Sequence, residues 1–385
     1  MIGIHLFLDR RPLVSHIAVS NLMKGNKMNR YWSAAARHIA PYTPGEQPRD
    51  RKYIKLNTNE CPYPPSPKVL EAMRQAADGT LRLYPDPECL ELRQVIAEAC
   101  RVKTSQVFSG NGSDEILAFA FMAFFDRGEP ILFPDITYSF YEVYADLFRL
   151  DPCLVPLRED FSIEPGDYNR QNGGIVLANP NAPTGRGMPL ADVRRILDLQ
   201  PERVVLIDEA YIDFGGESVI PLIGEYPNLL VVQTLSKSRA LAGLRLGFAV
   251  GDEGLMEGLN RIKNAINSYT VDRIAMAGGI AAMRDEAYFR QTTSRIMATR
   301  ERTAAGLKAL GFAVVPSQAN FLFIAHPGCP GEVLFKRLRE RGILVRYFKR
   351  PRIDNYLRVT VGTDEDMEGL LQALRDMPDI GADGA

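Results

Sequence analysis

The chain has 385 residues, 46% of them hydrophobic and 24% charged, and 46 Lys and Arg against 47 Asp and Glu leave a formal charge of −1. No strong field therefore points to nucleic acid or to an anionic membrane. The longest apolar run, Ile116–Phe125, is about half of the roughly 20 residues that a membrane-spanning helix needs, and a prior of about 150 residues per domain gives two or three domains. Met1–Leu8 is apolar but lacks a basic leader, and Asp9-Arg10-Arg11 follows where a small-residue cleavage site would stand, which predicts no secretory signal. The five cysteines and four histidines show no C-x-x-C or H-x-x-x-H spacing, so neither a disulfide framework nor a metal site is expected. These observations predict a soluble, cytoplasmic enzyme or ligand-binding protein.

Residues 1–28 have no clear period and end in a second methionine, Met28. They read as a flexible extension or an over-long start and are left out of the fold argument. Residues 41–67 are rich in proline, from Pro41-Tyr42-Thr43-Pro44-Gly45 to Pro62-Tyr63-Pro64-Pro65-Ser66-Pro67, and read as an extended arm with turns, not a core element. Apolar residues at three- and four-residue spacing predict helices over Lys68–Ala77 and Glu88–Cys100. Short β-branched runs follow at Gln106–Ser109, Pro130–Phe133, Gly174–Ala178, Arg203–Ile207, Leu229–Thr234 and Leu246–Val250. Helical stretches at Ser113–Phe125, Tyr138–Leu147 and Leu190–Leu199 separate several of them. Buried strands alternating with helices predict an α/β fold around a parallel or mostly parallel sheet covered on both faces. Beyond about residue 270 the texture changes to long helices rich in Ala, Arg and Glu. Strand-like Phe321–Ala325, Ile343–Phe348 and Leu357–Val361 follow, and a helix near 364–376 closes a smaller α+β region. The expected division is an N-terminal extension and arm over 1–50, a large domain over 51–270 and a small domain over 271–385.

Ligand sites of α/β proteins lie at the carboxyl ends of the strands, and four segments place polar residues there. Phe108-Ser109-Gly110-Asn111-Gly112-Ser113-Asp114-Glu115 reads as strand end, glycine turn and helix start. Ser113 and Asp114 suit an N-cap, and the free N–H groups form an anion site. It is equally the pattern of an ordinary strand–turn–helix junction, and Glu115 stands where a dinucleotide fingerprint needs its third glycine. Ala178-Asn179-Pro180-Asn181-Ala182-Pro183-Thr184-Gly185 is a rigid polar turn. In Val204-Val205-Leu206-Ile207-Asp208-Glu209-Ala210-Tyr211 an acid follows a buried strand. A nucleotidase reading fails because no Gly-Lys-Ser or Gly-Lys-Thr exists in the chain; a carboxylate aimed at a protonated cofactor ring, or a simple cap, remains. Thr234-Leu235-Ser236-Lys237, continuing to Gly243-Leu244-Arg245, puts hydroxyls and a guanidinium beside a lysine. Those are the donors that a phosphate needs, and a Schiff-base lysine is the simplest chemistry joining them.

In this order the segments resemble the fold type I pyridoxal-phosphate-dependent aminotransferases, and within them the histidinol-phosphate aminotransferases. The resemblance runs from about residue 31 to 378. It includes Lys55-Leu56-Asn57-Thr58-Asn59-Glu60, Leu83-Tyr84-Pro85-Asp86-Pro87, Pro134-Asp135-Ile136-Thr137-Tyr138, Ala319-Asn320-Phe321 and Leu357-Arg358-Val359-Thr360. It implies a large domain with a mostly parallel seven-stranded sheet sandwiched by helices and a smaller α+β C-terminal domain. The implied cofactor is pyridoxal 5′-phosphate, carried by Lys237, which also moves the substrate proton. Asp208 pairs with the ring nitrogen, Tyr211 with the phenolic oxygen, and Tyr138 stacks on the ring. Ser113, Asp114, Thr234, Ser236 and Arg245 hold the phosphate. Tyr84 reaches the phosphate of the neighbouring subunit, which implies a homodimer. Arg358 and Arg346 meet the anionic end of the substrate, and Tyr42 and Asn320 fall at substrate-side positions. The implied substrates are small molecules, an amino donor and a 2-oxo acid: histidinol phosphate and 2-oxoglutarate. Many relatives carry asparagine directly before Pro-Thr-Gly; here Ala182 stands there, with Asn181 one position earlier, so that Tyr211 is the main partner of the phenolic oxygen and Asn181 or a water a weaker second one. A phospho-amino-acid decarboxylase and an aromatic aminotransferase are the alternatives on the same scaffold. A DNA-binding regulator would need a module ahead of residue 31, for which about thirty irregular residues are too few.

Overall fold

Unbroken runs of valine, leucine and isoleucine build the centre of this molecule because both faces of its main sheet are covered. The computed structural model describes residues 30–377 and Ile380; the reading of residues 1–28 lies outside them. The described chain forms two units, one ending at Thr43 and one beginning at Pro44. The first holds a short helix, Ala34–His38, capped by the Ser33 hydroxyl, which accepts from the Ala36 N–H at 3.2 Å.

In chain order the strands of the second unit are β1 (Ile54–Lys55), β2 (Val107–Gly110), β3 (Pro130–Pro134), β4 (Asp151–Val155), β5 (Gly174–Ala178), β6 (Val205–Asp208), β7 (Leu229–Thr234), β8 (Gly247–Gly251), β9 (Ala313–Val315), β10 (Phe321–Ala325), β11 (Ile343–Leu344), β12 (Arg346–Tyr347) and β13 (Leu357–Thr360). Seven of them form one sheet in the order β2-β8-β7-β6-β5-β3-β4, in which β8 runs antiparallel to both its neighbours and the other pairs are parallel. The expected mostly parallel seven-stranded sheet is what the chain builds. Side chains alternate between its two faces. Ile175, Leu177, Val205, Ile207, Leu229 and Val231 pack on one side with helices Leu90–Cys100, Leu190–Leu199 and Arg273–Arg284. Val176, Leu206, Leu230 and Val232 pack on the other with helices Gly112–Phe124, Phe140–Phe148 and Glu253–Ile266. Each such side chain stabilises the fold by about 1.5–3 kcal/mol, and Leu206→Ala, at a position with no exposed area, would cost about 2–5 kcal/mol.

A second sheet, β12-β13-β10-β9, is antiparallel throughout and lies in the C-terminal part of the chain. Three elements differ from expectation. β4 pairs with β3 at the sheet edge and contains Pro152, which removes the usual strand signature and is tolerated only at an edge. The stretch Ile343–Phe348 divides at Val345 into β11 and β12, which belong to different sheets. The proline-rich arm is corrected most: β1 pairs with β11, and Leu56 is buried in the core of the C-terminal part. Its N–H donates to the Leu344 carbonyl at 2.8 Å and its carbonyl accepts from Thr360 N–H at 2.9 Å. Those partners are some 290–300 positions away in sequence, so no local period announces them. Among the described residues no helix is long and apolar enough to cross a membrane.

Candidate active site

Register places the polar strand ends on one edge of the main sheet. Ala178 pairs with Asp208 and Asp208 with Val232, while Thr234 and Gly110 both pair with Gly247. Asp208 is the last residue of β6 and is buried. Its Oδ2 accepts from the Tyr141 hydroxyl at 2.8 Å and its Oδ1 from the Ala210 N–H at 3.1 Å. Burial pushes this carboxyl up to about 6, and the two hydrogen bonds oppose that shift. Tyr141 itself is fully buried on helix Phe140–Phe148, one turn beyond Tyr138. Sequence reasoning missed it; Tyr138 lies just ahead of the helix, and its ring meets that of Tyr141 edge-on at 5.7 Å.

The helix Gly112–Phe124 starts two to three residues earlier than a cap at Ser113 or Asp114 would place it. Asn111 is the cap position, no side chain caps it, and Glu115 accepts instead from the Asn111 N–H at 2.6 Å. Ser113 and Asp114 therefore sit in the first turn, where N–H groups have no partner within the helix. Backbone here is tight: a Cβ on Gly247 would lie 2.6 Å from the Ser113 nitrogen, and one on Gly112 (φ +79°) 2.7 Å from the Arg245 guanidinium. Arg245 also meets the Asp114 carboxylate at 3.1 Å, and Asp114 accepts from the Tyr138 hydroxyl at 3.0 Å. At the end of β7 the Thr234 and Ser236 hydroxyls are 3.0 Å apart and both residues are buried. Five of the expected residues thus converge around one helix start, with an arginine among them.

Lys237 follows directly. Its Nζ donates to the Thr58 carbonyl at 3.3 Å and lies 5.9 Å from the centroid of the Tyr211 ring. Burial, with help from Arg358 and Arg245, pushes the ammonium down to about 8, against Asp114 and Glu60. The neutral amine that this makes available from about pH 8 upward is a nucleophile and a base. Tyr211 packs edge-on against Phe321, and its oxygen accepts from Asn59 Nδ2 at 3.0 Å. Asn59 was not singled out from the sequence; its left-handed backbone (φ 55°), which asparagine adopts more readily than most residues, shows only in the fold.

The antiparallel register sets Arg346 on β12 directly opposite Arg358 on β13. Like charges facing one another destabilise a sheet unless an anion joins them. Arg358 donates to the Asn57 carbonyl at 3.1 Å, and Arg346 donates to the Pro44 carbonyl at 3.3 Å. Asn320 is fully buried, donates to the Asn59 carbonyl at 3.0 Å, and has an Oδ1 with no hydrogen-bond partner among the described residues. Three residues stand otherwise. Asn181 spends both amide hydrogens on the Ile136 carbonyl and the Thr184 hydroxyl, 3.0 Å each, while its Oδ1 accepts from Thr137 at 2.9 Å. It braces its own loop against the segment that follows β3, with no donor left over. Tyr84 is exposed and its ring stacks on Tyr269 at 4.5 Å. Tyr42 belongs to the N-terminal unit.

The aminotransferase class I and II family matches residues 51–374. A protein of Marinomonas sp. (strain MWYL1) named histidinol-phosphate aminotransferase is 54% identical over 353 residues, 91% of this chain and 100% of that protein. One of Bordetella parapertussis named histidinol-phosphate aminotransferase 1 is 56% identical over 351 residues, 90% of this chain and 99% of that protein. Among solved structures, histidinol-phosphate aminotransferase from Sinorhizobium meliloti in complex with pyridoxal-5′-phosphate superposes with a TM-score of 0.74 at 25% identity, covering 84% of this chain and 90% of that one. The match begins in the arm that carries Thr58 and Asn59, takes in every strand end of the site and ends in the last helix. This chain therefore belongs to the class I and II aminotransferases, and among them to the histidinol-phosphate aminotransferases.

Proposed function

We propose that this enzyme moves an amino group between histidinol phosphate and 2-oxoglutarate, giving imidazole acetol phosphate and glutamate, as a step of histidine biosynthesis in the cytoplasm. The cofactor of this reading is pyridoxal 5′-phosphate. One observation carries it: a lysine whose ammonium is pushed down to about 8 shares a sheet edge with a buried carboxylate and an arginine-flanked helix start.

The residues fit that cofactor. Asp208 is a buried acceptor for a protonated ring nitrogen, and a protonated ring beside it would restore its ionisation. The first turn of Gly112–Phe124, with Ser113, Asp114, Thr234, Ser236 and Arg245, offers the donors of a phosphate site, where a Cβ on Gly112 would intrude. Tyr138 supplies a ring face and Tyr211 a hydroxyl for the phenolic oxygen. Asn181 is left out because its amide is committed to the loop. When bound, the group supplies a carbonyl that condenses with amines and a protonated ring that accepts electron density from the substrate. Lys237 binds that carbonyl, and once displaced it holds and returns the proton of the substrate Cα. Both roles need a neutral amine. Arg346 and Arg358 orient the substrate. In histidinol phosphate a CH2–O–phosphate stands where glutamate has its α-carboxylate, so paired arginines serve both half-reactions.

Dimerisation is part of the proposal. Tyr84 and Leu81 are 78% and 52% exposed, as are Ile266 at 58% and Leu83 and Leu90 at 49% each, and Tyr84 stacks on Tyr269. A set of large apolar side chains left in water marks an interaction surface, and a second copy placed there brings Tyr84 towards a neighbouring site.

The test compares histidinol phosphate, phenylalanine and threonine phosphate as donors to 2-oxoglutarate. Histidinol phosphate should have the highest kcat/KM. A higher value for phenylalanine would make the enzyme an aromatic aminotransferase, and CO2 release from threonine phosphate would make it a decarboxylase. Lys237→Ala should fold and lose both transamination and the visible absorbance of the bound cofactor.

A further inference from the structure

We infer that Asn59 sets the direction of the Tyr211 hydroxyl proton, so that a chain with Ala182 before Pro-Thr-Gly still presents a committed donor to the cofactor's phenolic oxygen. The inference rests on the cofactor reading above.

The argument is a count of protons. Thr360 Oγ1 accepts from the Asn59 backbone N–H at 2.9 Å, and the same oxygen lies 3.0 Å from Asn59 Oδ1. Thr360 is buried, and a hydroxyl has one proton to give. With one lone pair already used, that proton goes to Oδ1, because the opposite amide orientation would leave it buried and unmatched. The side-chain amide is thereby fixed with Oδ1 towards Thr360 and Nδ2 towards Tyr211, whose oxygen it meets at 3.0 Å. Tyr211 must then accept from Asn59, and its own proton is directed elsewhere; among the described residues it donates to none. An ordinary acceptor at position 59 would draw that proton to itself.

The backbone holds Asn59 in place from both ends. Its carbonyl accepts from Asn320 Nδ2 at 3.0 Å, the residue is 1% exposed, and its φ of 55° is one that Asn and Asp tolerate better than other side chains. Asn59 thus ties Tyr211, on the turn after β6, to Thr360 on β13 and to Asn320 beside β10. It acts through Tyr211 and is a positioning residue.

The experiment titrates apo-protein with pyridoxal 5′-phosphate and with 3-deoxypyridoxal 5′-phosphate, which lacks only the phenolic oxygen. Asn59→Asp keeps the size and backbone preference of the residue but offers Tyr211 an acceptor. It should weaken binding of the parent cofactor about tenfold, the loss of one hydrogen bond to a charged oxygen, and leave the analogue within about twofold. It should also raise the pH midpoint of the visible absorbance of the loaded protein. Thr360→Val, which unlocks the amide, should show the same discrimination to a smaller degree. Equal weakening of both ligands in Asn59→Asp would reduce Asn59 to a packing residue and overturn the inference. Unchanged binding of both would overturn it as well. Tyr211→Phe separates the levels: if it discriminates between the ligands and Asn59→Asp does not, only this inference falls. If Tyr211→Phe does not discriminate either, the cofactor reading of Tyr211 falls with it.

Discussion

At Lys237 the surrounding charges decide when the amine is free. Burial lowers its ammonium to about 8, and Arg358 deepens the shift. A lowered ammonium value means that the neutral form predominates above that pH and is lost below it. Uptake of pyridoxal 5′-phosphate by apo-protein should therefore accelerate through about pH 8 and level off beyond it, as stopped-flow absorbance would record. Arg358→Gln removes one of the charges that destabilise the ammonium, so its midpoint should move upward; an unmoved midpoint would mean that burial alone sets the value. The two residues that the sequence offered to the phenolic oxygen, Tyr211 and Asn181, separate at the same scale. Tyr211→Phe should raise the pH midpoint of the bound cofactor's absorbance by roughly one pH unit, one hydrogen bond to a charged oxygen contributing about 1.5–3 kcal/mol. Asn181→Ala should leave that midpoint in place and cost about 1–3 kcal/mol of stability, because it frees the Ile136 carbonyl and the Thr137 and Thr184 hydroxyls. A larger spectral shift from Asn181→Ala would show that its amide turns inward when the cofactor binds.

Between elements, Glu209 joins the end of β6 to β7 and to the following turn. This buried carboxyl accepts from the Val219 N–H, the Ser218 hydroxyl and Gln233 Nε2, each at 2.7 Å. Burial still outweighs those three donors and pushes it up from 4.5 to about 7. The folded state thus holds a proton that the unfolded chain releases first. Its stabilisation is complete below about pH 4.5 and is lost as pH rises through about 7, an effect of roughly 3 kcal/mol at the outside. Glu209→Gln cannot ionise, so its thermal midpoint should decline less than that of the parent between pH 5 and pH 8. Parallel decline of the two would place the carboxyl's titration outside this range. Because Glu209 is the neighbour of Asp208, the same element carries one carboxylate toward the site and another into a structural clasp on the opposite side chain direction of the strand.

For the whole molecule, the exposed apolar set around Tyr84 predicts shared active sites. If Tyr84 completes the site of a neighbouring subunit, Lys237→Ala and Tyr84→Ala are each inactive or crippled alone but complementary when mixed. Reassociated mixtures should recover roughly a quarter of the parent activity, one intact site in each mixed dimer, as two-fold symmetry requires. No recovery on mixing, with dimers shown by sedimentation, would place Tyr84 within its own subunit's site or outside both.

Much of this architecture is legible in the sequence. Gly174–Ala178, Leu229–Thr234 and Leu190–Leu199 fall where periodicity placed them, since a strand buried on both faces must be apolar at every position and a helix on its flank must be apolar at every third or fourth. The strand-end Asp208, the Ser236-Lys237 pair and Arg245 were visible because ligand chemistry needs those residue types at those ends. What tertiary structure alone decided is which elements meet and in what register: β1 against β11, Arg346 opposite Arg358, Tyr141 on Asp208, and Asn59 between Tyr211 and Thr360. The sequence by itself determined which residues could perform the chemistry, because side-chain type and local period are properties of neighbours in the chain. Where the Asn59, Tyr211 and Thr360 hydrogen bonds point was decided by elements brought together from some 150 to 300 residues apart, and no local pattern encodes that.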